Sequence, residues 1–168
     1  ANFVYNEFKL GHIRNQVVVN LKKTMNLKKI VSEIFCTIVE KYKMFIETKG
    51  ENKIEIYNSK CIISIDVYFG DVFISIKENR TDKNGINPFL WGIINGKINY
   101  ESINVIKYDE NSMLNKIVKS ELQKEFTFIS LFCKSLLEGD FSGKKRYLEK
   151  VNTLRVDMNE FYELKNKN

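Results

Sequence analysis

Three features of the sequence predict an α+β fold, a four-stranded antiparallel meander flanked by an N-terminal helix and a long C-terminal helix. Apolar residues recur at helical spacing from Leu27 to Val39. From Lys53 to Glu78 they alternate with polar ones between tight turn signals, and from Leu114 to Leu137 the helical period returns. At 168 residues the chain has the usual size of one domain and can bury a core without metal or disulfide staples. One domain spanning 1–168 is therefore expected, with 1–24 either an upstream extension or arm, or a segment whose Val17-Val18-Val19 joins the core.

The first helix, over 26–43, starts at Asn26, a residue whose side chain caps exposed backbone N–H groups. Leu27, Ile30, Val31, Ile34, Phe35, Ile38 and Val39 then form its apolar stripe. Four strands follow, over 43–48, 53–58, 60–69 and 71–78, joined through Lys49-Gly50-Glu51-Asn52, Asn58-Ser59 and Gly70-Asp71. Gly and Asn tolerate the positive φ of tight hairpins, and connections this short force antiparallel neighbours.

Side chains alternate across a strand, so the sheet has two distinct faces. Ile54, Ile56, Cys61, Ile63, Ile65, Val67, Phe69, Val72, Ile74 and Ile76 make the core side. The other carries Lys53, Glu55, Tyr57, Ile62, Ser64, Asp66, Tyr68, Phe73, Ser75 and Lys77, a mixture of aromatic and polar groups. Either the long C-terminal helix covers this second face and makes its aromatics core, or the face is open and fit for binding.

Pro88 opens a short helix that Gly96 ends. Residues 97–110 have no clear period. The main packing helix is expected over 112–138, stopped by Gly139, with Asp140 capping a basic helix over 141–152 and a charged tail beyond it.

Composition restricts partners and compartment. The net charge is +6, distributed as +5 over 1–50, −2 over 51–110 and +3 over 111–168, so the sheet is the acidic part and the helices are basic. No apolar run reaches the roughly 20 residues of a membrane span, and Ala1 to Thr24 lacks the features of a secretory signal. Cys36, Cys61 and Cys133 are odd in number, far apart and set among apolar neighbours, which reads as buried reduced thiols in a cytoplasmic protein.

Little in the chain suits catalysis. His12 is the only histidine, and a metal site wants paired ligands at short spacing, so no cofactor or metal is expected. Asp66 and Asp71 could in principle hold a divalent ion, yet they flank a hairpin turn where Asp serves turn geometry. Gly92 to Lys97 and Gly139 to Lys144 both spell Gly-xxx-Gly-Lys, one residue short of a phosphate loop and followed by Ile98 and Lys145 rather than a hydroxyl. Basic runs at Lys22, Lys23, Lys28 and Lys29, and at Lys144, Lys145, Arg146, Lys150 and Arg155, would suit nucleic acid if they met in space, although Glu33, Glu40, Glu149 and Asp157 interrupt or flank them.

Cys61-Ile-Ile-Ser-Ile-Asp-Val-Tyr-Phe-Gly-Asp-Val-Phe-Ile-Ser-Ile76, the Pro88-Phe-Leu-Trp91 block and Leu136-Leu-Glu-Gly-Asp-Phe141 anchor about half of the chain. On these segments it resembles the small cytosolic immunity proteins of bacterial toxin systems, including contact-dependent growth inhibition. The resemblance implies an inhibitor that binds one cognate toxin domain without turnover. Immunity proteins facing nucleases are often acidic, and the +6 charge departs from that pattern. No family residue transfers by position. The expected partner-binding set is therefore taken from the second sheet face and its turn: Glu55, Tyr57, Asp66, Tyr68, Asp71, Phe73 and Lys77.

Overall fold

The computed structural model describes residues 26–68, 70–102 and 114–167. His12, Phe69, the first basic run up to Lys23 and the whole of 1–24 lie outside them. The elements are α1 (Leu27–Tyr42), β1 (Phe45–Gly50), β2 (Lys53–Tyr57), β3 (Ile62–Tyr68), β4 (Asp71–Lys77), α2 (Pro88–Ile94), a 3-10 turn (Tyr100–Ser102), α3 (Leu114–Phe132), α4 (Lys134–Leu137) and α5 (Lys144–Lys167). This is the expected α+β arrangement.

Helix α1 begins where Asn26 Oδ1 accepts the Lys29 N–H at 3.0 Å. It ends at Lys43, whose φ of 50° is left-handed and lets Met44 N–H reach Val39 O at 2.9 Å. The four strands pair in order as an antiparallel meander. Asn58 fixes the second hairpin: its Oδ1 accepts N–H groups of Lys60 and Cys61, and its Nδ2 donates to Tyr42 O at 3.0 Å, tying the turn to the end of α1. At the third hairpin Gly70 takes a φ of 91°, a conformation L side chains rarely adopt.

Ile54, Ile56, Cys61, Ile63, Ile65, Val67, Val72, Ile74 and Ile76 are all buried in one core cluster with the inner faces of the helices. Each buried aliphatic side chain contributes roughly 2 kcal/mol against exposure. Helix α1 packs on β1, β2 and α3; α2 packs on α3, α5 and β4; α3 packs on β4. Beyond β4, Ile76 and Ile86 exchange both backbone hydrogen bonds at 2.8 Å, so the loop covers that sheet edge in part.

Several expectations are corrected. Cys36 is exposed. A helix turns about 100° per residue, so Ile34, Phe35 and Cys36 cannot all face inward, and the first two take the core. The helix expected over 112–138 ends at Phe132, because Cys133 (φ −109°, ψ 18°) leaves helical geometry and redirects α4. That break brings Leu137 O to 3.9 Å from Cys61 Sγ. Asp140 does not cap the last helix: its Oδ1 accepts the Ser142 N–H, and α5 starts at Lys144. Nor is there a charged tail after 152, since Tyr147, Val151, Met158 and Tyr162 continue one buried stripe to the end of α5.

Candidate sheet-face interface

Cross-strand register places the outward side chains in rows. Phe45, Tyr57, Ile62 and Lys77 form the first, and Glu47, Glu55, Ser64 and Ser75 the second. Lys53, Asp66 and Phe73 form the third, and Tyr68 with Asp71 the fourth. All seven residues expected at the interface therefore share one face. Long helix α3 does not blanket it: its buried stripe joins the core cluster, while Phe45 is 67 % exposed, Tyr68 54 % and Phe73 38 %.

The aromatics stand in two pairs. Phe45 and Tyr57 have ring centroids 6.0 Å apart, and Tyr68 and Phe73 have theirs 6.3 Å apart at 62°. Phe45 and Phe73 are separated by three strand spacings and four residues along a strand, a diagonal of about 20 Å. A standard protein interface of about 800 Å² per partner extends across both pairs.

A belt of fixed charge lies between them. Arg80 places its guanidinium carbon 5.2 Å over the Tyr57 ring and its Nη2 3.2 Å from Glu47 Oε2. Lys49 Nζ is 2.7 Å from Glu47 Oε1 and 3.9 Å from Glu55 Oε2, linking two carboxylates that oppose one another across β1 and β2. The hydrogen bond from Lys49 holds the Glu47 carboxyl below its ordinary value, with Arg80 acting the same way. Lys53 Nζ sits 3.8 Å from Asp66, whose other oxygen accepts from Ser64 Oγ at 3.4 Å. Ser64 itself is buried at the centre of the face.

Phe45, Glu47, Lys49 and Arg80 fall outside the set read from the sequence. Phe45 and Glu47 sit on β1 in register with Tyr57 and Glu55, so assigning faces to that strand would have found them, whereas Lys49 falls at the register shift between Thr48 and Gly50. Arg80 arrives from a loop 33 residues away in sequence from Glu47, and no local pattern announces it.

Chemical groups are sparse elsewhere. Asp66 and Asp71 occupy different rows, Asp66 being engaged by Lys53 and Ser64. Among the described residues no group of three or more His, Cys, Asp or Glu could hold a metal ion. Burial pushes the Cys61 thiol up to about 11, and Cys133 rises for the same reason, so both are poor nucleophiles. A shallow cleft of about 410 Å³ runs along α3 beside Lys116, Lys119, Ser120, Gln123, Lys124 and Thr127. Among the described residues no helix is long and apolar enough to cross a membrane.

Comparison with known proteins gives no match: no family model fits the chain, and no curated protein or solved structure matches it significantly.

Proposed function

We propose that this chain is a noncatalytic binding protein that docks a protein partner on the open face of its sheet, and that the partner is a cognate bacterial toxin domain which it neutralises as an immunity protein. One observation carries the binding reading: Phe45, Tyr68 and Phe73 stand exposed on a rigid sheet, around a belt of paired charges. Exposed aromatics cost free energy in water unless a partner covers them, and aromatic anchors within a polar surround dominate protein interfaces. Charges already held by neighbours lose little further side-chain entropy on docking. The toxin partner rests on the resemblance of Cys61–Ile76, Pro88–Trp91 and Leu136–Phe141 to immunity proteins. Calorimetry with the toxin domain encoded beside this gene tests it. A complex at micromolar concentration supports the reading, and no adjacent toxin or no complex removes it.

A second reading has the exposed Lys28, Lys29, Lys145, Arg146, Lys150 and Arg155 bind nucleic acid, while Lys144 is committed to Asp82. Retention on DNA or RNA that falls steeply with salt would support it, and no retention at about 50 mM salt counts it out.

A further inference from the structure

The buried stripe of α3 runs Val118, Leu122, Glu125 and Ile129, and continues into Cys133 and Leu136. Glu125 is its one carboxylate. The residue is only 2 % exposed, and its Oε2 is buried without a hydrogen-bond partner. The elements packed against α3 offer apolar inner faces: Val31, Phe35 and Ile38 from α1, Phe89 and Leu90 from α2, and Ile74 from β4. The described charged and titratable groups that act on Glu125 are Lys124 and Glu121, which are ion-paired to each other on α3, and the Cys133 thiol at the helix break.

We propose that Glu125 makes the docking of α3 on α1 and α2 sensitive to pH, holding the helix in place while its carboxyl is neutral and loosening it when the carboxyl ionises. The inner faces named above give Oε2 no hydrogen-bond donor, and burying a carboxylate without full compensation is strongly unfavourable. Burial pushes the carboxyl up to about 7, Lys124 and the amino-terminal charge opposing the rise and Glu121 reinforcing it. The unfolded chain holds this proton only to about 4.3. Between those values the folded state binds more protons, so stability falls as pH rises and levels off above about 7. The Cys133 thiol and Tyr147 hydroxyl are both raised by burial and stay neutral through this range, which leaves Glu125 as the described buried group that changes charge there. Cys133, where α3 departs from helical geometry, supplies the pivot.

Urea unfolding of the full chain from pH 5 to 8.5 tests the proposal. The wild-type folding constant is expected to drop about 100-fold over that range, and Glu125→Gln to flatten the dependence. A flat wild-type profile, or a Glu125→Gln profile as steep as wild type, overturns it. Hydrogen exchange must also speed up more along α3 than in the sheet between pH 6 and 8; a uniform change contradicts the proposal. Should Glu125→Gln not fold, carbon-detected NMR titration of the wild-type carboxyl decides, a midpoint of 6 or above supporting the proposal and a lower one overturning it.

Discussion

Tyr68 and Phe73 meet edge to face across β3 and β4, with centroids 6.3 Å apart, on the solvent side of a sheet whose other side is filled with isoleucine and valine. They are diagonal neighbours, since Tyr68 pairs directly with Asp71 and Phe73 with Asp66. Such a pair contributes roughly 0.2–1 kcal/mol to a sheet. Phe73→Ala is therefore expected to lower unfolding free energy by about 1 kcal/mol or less in urea melts. A loss above about 3 kcal/mol would mean that the ring is core, and the open-face reading would fail.

Gly70 turns the chain between these two aromatics with φ at 91°, and an added Cβ would run into Leu114 Cδ1. A left-handed L residue costs roughly 1–2 kcal/mol, and the flexible end of Leu114 can shift to relieve part of the contact. Gly70→Ala should destabilise by about 1–3 kcal/mol in the same melts, while an unchanged midpoint would contradict the turn geometry.

Tyr147 on α5 accepts the backbone N–H of Asn87 at 3.0 Å, just where Asn87 caps α2 through its bond from Leu90 N–H. Tyr147→Phe keeps the ring against Trp91, 6.1 Å between centroids, but leaves a buried donor unsatisfied. The expected cost is about 1–3 kcal/mol. A neutral substitution would show that the hydroxyl does not join α5 to the loop.

Asp82 binds Lys144 and accepts N–H groups from Glu78 and Asn84. Burial works to raise its carboxyl, but these hydrogen bonds and the lysine charge outweigh it and hold the group below its ordinary value. A depressed folded value adds stability above the unfolded value that is lost as pH falls through the folded one. Asp82→Asn should thus weaken the fold at pH 7 and converge with wild type in strong acid, as circular dichroism at graded pH would record. Equal stability at pH 7 would count against the contact.

Cys36 is exposed on α1 while Cys61 and Cys133 are buried. A thiol reagent should label one cysteine per native chain quickly and all three after denaturation. Three fast native thiols would contradict the core described for β3 and the end of α3.

Much of this arrangement is written in local pattern. Ile54 and Ile56, with Ile63, Ile65, Ile74 and Ile76, alternate so regularly that both faces of the sheet follow from spacing alone, and Glu55, Tyr57, Asp66, Phe73 and Lys77 with them. Long-range placement is less legible. The clasp of Arg80 on Tyr57 and Glu47 depends on where a loop returns, and the charged residues of α5 mask the spacing of Val151, Met158 and Tyr162. At Cys133 no Gly or Pro marks the break, because the chain leaves the helix to seat Leu136 and Leu137 in the core.

The most direct measurement is calorimetric binding of the adjacent-gene toxin domain to wild type and to the Tyr68→Ala/Phe73→Ala double variant, each first shown to be folded. The account predicts a micromolar or tighter complex that weakens by at least about 10-fold when the two rings are removed. A toxin that binds the double variant as tightly as wild type would place the interface elsewhere and contradict the role given to this face.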